Sequence, residues 1–343
     1  MQSILKLNTI KALSNRNIKY GVNLTRMFSS NNQDIETWKS KVPKLESTDT
    51  ITASQINLLG NTLNHPRFNY DQIPSQGSEI PPGWHIAFFP PRLPEKELSQ
   101  DGYDTTWTPP EPYKRRMWAG GKLEWRTSNP LRVGDQVRLE ANLCKVDIKQ
   151  DGQAAHVWAD YEFHNKHGLS LAESRCWIYT DGQPSRKESV SEVTDNSSSS
   201  PNVLSNPEFT FSVTPSPVTL FRFSALTFNA HLIHYDNTFA TQVEKQKGCL
   251  THGPLSLVYM INQLDQHLAT KDVDQSAGHH KSGSRKIKSI EYRCLNPLPV
   301  NEPLTVSGKC KTESDSEPTY DLWITDNSGK VAVKGLAVID RIK

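Results

Sequence analysis

One short pattern occurs once in each half of the chain, and both times it leads into predicted strands. Residues 130–133 read Pro-Leu-Arg-Val, and residues 297–300 read Pro-Leu-Pro-Val. After the first copy, residues 136–143 and 156–163 alternate apolar and polar side chains, which is the period of a half-buried strand. After the second copy, residues 331–339 complete a predicted hairpin. The chain therefore most simply contains a strand-rich unit that has been duplicated.

Changes in composition divide the sequence into five segments. We predict a targeting segment at 1–28, a helical lead-in at 29–80, a first unit at 81–180, a linker at 181–208 and a second unit at 209–343. The linker is rich in Ser, Pro, Asn and Glu and has almost nothing apolar to bury. Within the second unit the patterns predict a helix at 255–268 and strands at 213–223, 286–292, 304–309, 320–325 and 331–339.

The first 28 residues have the features of a mitochondrial targeting segment. They carry five basic residues and no acid, and Ile4, Leu7, Ile10 and Leu13 follow a helical spacing. Residues 26–30, Arg-Met-Phe-Ser-Ser, resemble the site cut by the mitochondrial processing peptidase. We therefore expect cleavage after Phe28 and import into the matrix. The alternative is an ordinary basic, disordered tail.

Charge and composition exclude several classes of function. The formal charge is +2, but removing five basic residues with the targeting segment leaves 34 basic against 37 acidic residues, a charge of −3. That balance gives no cationic excess for binding nucleic acid. No run of 18 apolar residues is present, so we expect no membrane-spanning helix. The five cysteines form no C-x-x-C pair and predict reduced thiols in an intracellular compartment.

The residues with the most specific chemistry lie at 222–236, where His231 and His234 are three apart. One helical turn would place both on one face, which suggests a metal site, with Asp236 as a third ligand. The pattern H-x-x-H-x-D is not a usual zinc motif, so we expect no metal. A serine hydrolase is set aside because no G-x-S-x-G elbow is present. General acid–base catalysis by an imidazole, next to a carbonyl group, is left as the best interpretation.

A second segment, residues 248–257, leads into the predicted helix of the second unit. It contains His252, followed by Gly253 and Pro254, which suit close approach and the first helical turn. The unpaired N–H groups at a helix start can hold a developing oxyanion. We therefore predict that the N–H of Gly253 binds an enolate oxygen.

Together the two segments resemble the MaoC-type hydratase motif of hotdog-fold enzymes, in which Thr-Gly-Asp-x-Asn-Pro-x-His precedes a His-Gly at the start of the central helix. Thr227 matches the Thr, His234 the catalytic His, and His252 with Gly253 the His-Gly. Residues 115–124 and 130–135 are similar to the amino-terminal hotdog of fungal mitochondrial 3-hydroxyacyl-thioester dehydratases and of mesaconyl-CoA hydratases. The resemblance extends over residues 38–343.

The chain departs from that motif at Asn229, where the family has an Asp. An amide cannot accept a proton at neutral pH. The work of the Asp would then fall to His234 alone, to His231 or to Asp236, unless the Asp only held the hydroxyl or water, which Asn229 can also do. We favour the interpretation in which Asn229 holds the hydroxyl or water.

The resemblance implies an α+β fold of two hotdog units, each an antiparallel sheet wrapped around a central helix, with the active site in the second. It also implies reversible dehydration of (3R)-3-hydroxyacyl thioesters in mitochondrial fatty-acid synthesis, without cofactor or metal. His234, Asn229 and Gly253 would be catalytic, and His231, Asp236 and His252 are further candidates. The implied partner is acyl carrier protein or coenzyme A, and a homodimer is left open. The alternatives are hydration of a mesaconyl-type dicarboxylyl-CoA and non-catalytic binding of acyl thioesters.

Overall fold

The computed structural model describes residues 34–68, 70–149, 152–181, 206–272, 284–314 and 317–342. The predicted targeting segment, with the cleavage site after Phe28, lies outside these residues, as does most of the predicted linker at 181–208. No helix in the described part of the chain is long and apolar enough to cross a bilayer.

The described strands form one antiparallel sheet that runs through the whole molecule. They are β1 (Leu45–Thr50), β2 (Arg115–Trp125), β3 (Gln136–Lys149), β4 (Ala154–Asn165), β5 (Gly168–Thr180), β6 (Phe209–Val213), β7 (Ser284–Cys294), β8 (Leu304–Thr312), β9 (Thr319–Thr325) and β10 (Val331–Ile342). Their order across the sheet is β1-β3-β4-β5-β2-β7-β10-β9-β8-β6.

The strand order is the same when it is followed from either edge, with β1 to β5 matched by β6 to β10. The two halves join where β2 pairs with β7, and there Leu123 lies opposite Ile290. Both of these side chains are fully buried, so the joint between the halves is part of the core. This symmetry agrees with the duplicated unit that the repeated Pro-Leu-x-Val pattern predicts.

A long central helix, α4 (Gly253–Asp272), packs in the concave face of the second half. Leu255, Val258, Ile261 and Leu264 are almost fully buried, as expected for the apolar face of a helix that is covered by a sheet. The helix predicted at 255–268 is confirmed. Its first residue is Gly253, so the predicted oxyanion site lies at a true helix start.

The first half has shorter helices. Residues 34–41 form α1 and Ala53–Thr62 form α2, while the second half has α3 (Pro217–Thr227) at the position that matches α2. Between α2 and β2, where the second half has α4, the described residues of the first half form only two short 3-10 helices, Trp84–Ala87 and Glu95–Glu97. The indole N–H of Trp84 donates to Asn262 Oδ1 on α4 at 2.9 Å. The described part of the first unit therefore contains no long central helix of the kind expected in each unit, and α4 packs against strands of both halves.

Two predicted elements need correction. The strand predicted at 213–223 is wrong, because β6 ends at Val213 and α3 begins at Pro217. Ser216 caps α3 by accepting a hydrogen bond from Thr219 N–H at 3.1 Å, and a cap followed by proline is a strong helix start. The helical lead-in at 29–80 is helical only in part, since β1 lies within it and pairs with β3.

Candidate active site

The loop after α3 carries the histidines on which the sequence analysis depends. Phe228, with a φ of 51°, closes α3 in the left-handed conformation, and a 3-10 helix follows at Leu232–His234. Asn229 fastens the start of this loop, because its N–H donates to Ser224 O at 2.9 Å. Its side-chain Oδ1 accepts a hydrogen bond from His231 N–H at 3.1 Å. The loop is therefore held by hydrogen bonds before any ligand binds.

His234 is oriented by one short hydrogen bond. Its Nδ1 lies 2.8 Å from the carbonyl oxygen of Leu250, and since a carbonyl only accepts, Nδ1 carries the proton. Nε2 is then left with a free lone pair. Burial, together with the charges of His252 and His231, holds the pKa of His234 well below its ordinary value. His234 is thus a neutral imidazole with an unprotonated nitrogen, which is the form that a general base requires.

His252 lies directly behind His234. The two rings stack with their centroids 3.6 Å apart and an angle of 19° between their planes. His252 is fully buried, and its Nε2 shares a 2.8 Å hydrogen bond with the hydroxyl of Ser224. Burial and the charge of His231 lower the pKa of His252 to about 3. This position suits a support for the His234 ring better than contact with substrate.

These two histidines should make the protein less stable in mild acid. The unfolded chain takes up protons at each histidine near pH 6.5, whereas folded His234 and His252 bind protons only well below that. The free energy of unfolding is therefore highest above pH 6.5. Below pH 6.5 it falls by roughly 1.4 kcal/mol per pH unit for each of the two histidines. Urea unfolding at pH 7.5 and 5.5 would measure this. We expect His252→Gln to weaken the dependence, and an equal free energy of unfolding at both pH values in the wild type would contradict the assignment.

The start of α4 brings the predicted oxyanion donor close to a tryptophan of the first unit. No described residue accepts a hydrogen bond from Gly253 N–H. A Cβ atom at this position would lie 2.7 Å from Cδ1 of Trp118, so only glycine fits. The indole N–H of Trp118 donates to the hydroxyl of Tyr292 at 2.8 Å, which fixes the ring. The N–H of Gly253 is therefore free and rigidly placed.

The structure brings most of the predicted site residues to one cleft. Asn229, His231, His234 and Gly253 all line it, whereas His252 lies behind His234. Asp236 has a local role, because its Oδ1 accepts from the N–H of Phe239 at 2.9 Å and so caps the short helix that follows. A catalytic role for Asp236 gains no support from this geometry.

The first unit supplies three residues, two in the cleft and one behind it, that the sequence analysis did not assign to the site. Asp101 lies 3.1 Å from His231 Nε2, Trp118 packs on Gly253, and Arg116 stacks on Tyr103 with its guanidinium carbon 4.5 Å from the ring centroid. The basic run at 114–116 was visible in the sequence, but its place beside the histidines was not. Asp101 stands in an unremarkable turn, and no local pattern distinguishes it.

A metal site is not favoured by the placement of the histidines. The ring centroids of His231 and His234 are 5.6 Å apart, at an angle of 85°. Among the described residues, no group of three or more His, Cys, Asp or Glu is arranged to hold a metal ion.

Comparison with known proteins identifies the family. The family model for hydroxyacyl-thioester dehydratase type 2 matches residues 83–300. Mesaconyl-C(4)-CoA hydratase of Chloroflexus aurantiacus is 33% identical over 266 residues, which cover 76% of this chain and 84% of that protein. The mitochondrial hydroxyacyl-thioester dehydratase type 2 of Schizosaccharomyces pombe is 27% identical over 309 residues, covering 82% and 92%.

A solved structure of a MaoC-like dehydratase has the same fold. It superposes with a TM-score of 0.62 at 11% identity, covering 88% of this chain and 98% of that one. This confirms the predicted α+β class with two hotdog units in one chain. The match runs from the first unit into the second and includes Trp118, His234 and Gly253. The chain belongs to the hydroxyacyl-thioester dehydratase type 2 family and is a hydro-lyase.

Proposed function

We propose that this protein catalyses the reversible dehydration of (3R)-3-hydroxyacyl thioesters to trans-2-enoyl thioesters. The observation that carries the proposal is the hydrogen bond between His234 Nδ1 and the carbonyl oxygen of Leu250. Because His234 Nδ1–H is engaged there, the lone pair of Nε2 is free in the same cleft as the unbonded N–H of Gly253. A base and an oxyanion donor are the two groups that α-proton abstraction next to a thioester needs.

In the proposed reaction one proton moves from carbon to oxygen. His234 Nε2 removes the α-proton, and the electron pair passes into the thioester carbonyl, whose oxygen receives the N–H of Gly253. The enolate then re-forms the carbonyl and expels the β-hydroxyl, which takes the proton from Nε2 and leaves as water. His234 is neutral at the start and at the end, which agrees with the strongly lowered pKa. The thioester itself acidifies the α-carbon, so the reaction needs no electron sink.

We further propose that the first unit is non-catalytic and shapes the acyl pocket. It has a four-residue 3-10 helix where the second unit has α4. In the segment that precedes it, His65 packs against the rings of Phe68 and Trp84, and burial, helped by Arg67, lowers the pKa of His65 to about 4. A histidine in these surroundings suits packing better than proton transfer.

We also propose that the enzyme works in the mitochondrial matrix, in the dehydratase step of type II fatty-acid synthesis, on substrates carried by acyl carrier protein or coenzyme A. The basic segment at 1–28 and the name of the fission-yeast relative support this proposal. Whether the enzyme is a homodimer is a question for measurement of its mass in solution. Processing after Phe28 would be checked by sequencing the amino terminus of the mature protein.

A hydration assay on 2-enoyl-CoA thioesters of increasing chain length tests the main proposal. We expect hydration of crotonyl-CoA and of at least some longer members, with product of the (3R) configuration. Tight acyl-CoA binding with neither hydration nor exchange of α-hydrogens in heavy water would instead favour a non-catalytic thioester-binding protein.

One observation favours a second candidate, the hydration of a mesaconyl-type dicarboxylyl thioester. Lys114 is paired with Glu111, and Arg115 with Glu244, but no described carboxylate pairs with Arg116. Arg116 lines the cleft and donates to the backbone oxygen of Asp104 at 3.2 Å. Burial is the main cause of the lowered pKa values of His231 and His234, and the charge of Arg116 lowers both further. A free cation therefore lies near the proposed base.

The position of that cation fits a carboxylate on the acyl group. In a mesaconyl-C4 thioester the free carboxylate is attached to the β-carbon, the atom that receives the hydroxyl, so it lies within a few bonds of the base. The phosphates of a pantetheine arm lie much farther from the thioester. An unpaired guanidinium close to the catalytic histidines suits the carboxylate better.

Arg116→Gln should separate the two substrate classes. A charge-assisted hydrogen bond contributes about 1.5–3 kcal/mol, so we expect kcat/KM for mesaconyl-C4-CoA to fall about 10- to 100-fold. Turnover of crotonyl-CoA, which lacks the carboxylate, should change less than about threefold. Lys114→Gln is the matched control because its side chain is largely exposed. Equal losses on both substrates would remove the argument for a dicarboxylyl substrate.

A further inference from the structure

A turn of the first unit is built against the catalytic loop of the second. The backbone oxygen of Asp101 accepts a hydrogen bond from Leu232 N–H at 2.8 Å. A Cβ atom on Gly102, whose φ is +84°, would come within 2.2 Å of the carbonyl oxygen of Ala230. Only glycine therefore permits this approach. The contact fixes the position of the Asp101 side chain relative to the loop that carries both histidines.

The Asp101 carboxylate determines which nitrogen of His231 carries the proton. Its Oδ2 lies 3.1 Å from His231 Nε2, and its Oδ1 accepts a hydrogen bond from the hydroxyl of Ser99 at 2.6 Å. Although burial opposes ionisation, hydrogen bonds from His231 and Ser99 lower the pKa of Asp101. An ionised carboxylate only accepts, so Nε2 donates and Nδ1 of neutral His231 has a free lone pair. No described residue forms a hydrogen bond with this Nδ1.

The reacting water has two O–H groups and needs a hydrogen-bond acceptor for each. Asn229 is less available as one of these acceptors than its place in the motif suggests. Its Oδ1 already accepts from the N–H of His231 at 3.1 Å. Its amide nitrogen is a donor only, so it can bind a lone pair of the hydroxyl oxygen but not a hydrogen. Oδ1 therefore has one lone pair left for the reacting water, and a further acceptor would come from another residue.

We propose that Asp101 is a positioning residue that turns His231 into the second acceptor for the reacting water. This inference rests on the proposed hydratase function and extends it. A water donating two hydrogen bonds of about 2.8 Å bridges acceptors roughly 4.5 Å apart. His231 and His234 line the same cleft, and their rings meet edge to face with the centroids 5.6 Å apart. The reacting water would therefore bind on the cleft side of the two rings, within reach of both free nitrogens.

The proton balance follows from this arrangement. In hydration, the O–H that faces His234 Nε2 gives up its proton as the oxygen bonds to the β-carbon, and that proton then passes to the α-carbon. The other O–H stays intact, held by His231 Nδ1, and becomes the hydroxyl of the product. His231 is neutral throughout, in keeping with a pKa that burial lowers and that Asp101 only partly restores. The first unit, without a base of its own, thus takes part in orienting the water.

Asp101→Asn is the decisive variant. Because the Ser99 hydroxyl donates to one oxygen, the amide oxygen of the new side chain should stay on that side and the amide N–H should face His231. His231 would then accept at Nε2 and carry its proton on Nδ1. We expect crotonyl-CoA hydration to fall about 10- to 100-fold. Exchange of the α-hydrogens of butyryl-CoA in heavy water, which needs only His234 and Gly253, should stay within about threefold of the wild type.

A second variant and a spectroscopic measurement separate this role from a structural one. His231→Gln can keep a donor toward Asp101 but lacks the Nδ1 acceptor, so it should show the same split between hydration and exchange. Nitrogen-15 NMR should show the Nε2–H tautomer of His231 in the wild type and the Nδ1–H tautomer in Asp101→Asn. Asp321→Asn is the control. The Asp321 carboxylate pairs with Lys311 on the neighbouring strand, so this substitution should change neither hydration nor exchange.

The outcomes distinguish failure of this inference from failure of the proposed function. If the wild type hydrates no enoyl thioester, the proposed function fails. If the wild type is active and Asp101→Asn retains hydration, or loses hydration and exchange in equal measure, the positioning role of Asp101 is overturned. An unchanged tautomer of His231 in that variant would overturn it as well.

Discussion

Replacing His234 with alanine is expected to reduce crotonyl-CoA hydration by roughly 10²- to 10⁴-fold, the range that a general acid–base contributes. The reason is specific to one atom. Nδ1 is occupied by the carbonyl of Leu250, so Nε2 is the nitrogen that can take the α-proton. Hydration and α-hydrogen exchange should both disappear, because the same base serves both. Initial rates with crotonyl-CoA and deuterium uptake into butyryl-CoA would measure the two effects.

A second substitution shows that the effect comes from the base and not from the fold. His234→Asn places an amide N–H where Nδ1–H was, so the hydrogen bond to Leu250 can be kept while Nε2 is removed. We expect it to be as inactive as the alanine variant, with a melting temperature closer to that of the wild type. His164→Ala, which removes a histidine near Glu162 on the first unit, should leave hydration unchanged. Near-normal turnover by His234→Asn would exclude His234 as the base.

Much of the fold could be predicted from the sequence because strand alternation and helix starts are local signals. The strands at 136–143 and 156–163 lie within β3 and β4, and the helix at 255–268 lies within α4. The strand prediction at 213–223 failed because an apolar run of that length suits either a strand or a helix. Ser216 and Pro217 decide in favour of the helix, because a capping side chain followed by proline marks a helix start. β1 is short and mostly polar, so only its pairing with β3 reveals it.

The site was predictable only where its residues are close in sequence. His234 and Gly253 could be found because each belongs to a short motif, and the two segments meet through the bond between His234 and Leu250. Arg116 reaches the cleft and Asp101 contacts His231 from a different unit, and their distance from His231 along the chain hides this proximity. The role of Trp118 could not be predicted either, because it depends on the ring packing beside Gly253 in the folded protein. Tertiary contacts of this kind leave no periodicity in the sequence.

The joint between the two units gives the first unit, which we propose is non-catalytic, a structural part in the site. The pairing of β2 with β7 fixes the two halves in one sheet, and it is β2 that carries Arg116 and Trp118 to the cleft. The turn at Asp101 then contacts the loop between α3 and α4. The second unit alone would lack the residue that orients His231 and the ring that packs on the start of α4. We therefore expect the two units to work as one enzyme.

Gly253→Ala is the second substitution for which we expect a large effect. The new Cβ would lie 2.7 Å from Cδ1 and 2.8 Å from Cγ of Trp118, which is closer than carbon atoms pack. The tryptophan cannot easily move away, since its indole N–H is bonded to Tyr292 and its ring packs edge-on against Trp177. The start of α4 must shift instead, and with it the N–H that faces the thioester oxygen.

Loss of one oxyanion donor costs about 10²–10³ in kcat, so we expect a loss of that size in Gly253→Ala, with a smaller change in KM because the oxygen is charged only in the transition state. Alanine is the better helix former by up to about 1 kcal/mol, which offsets part of the strain, so stability should change less than activity. Gly248→Ala is the control, because its Cβ would meet only Asn237 Oδ1, at an ordinary 3.6 Å. If Gly253→Ala hydrates crotonyl-CoA within threefold of the wild type, the thioester oxygen does not bind at the start of α4.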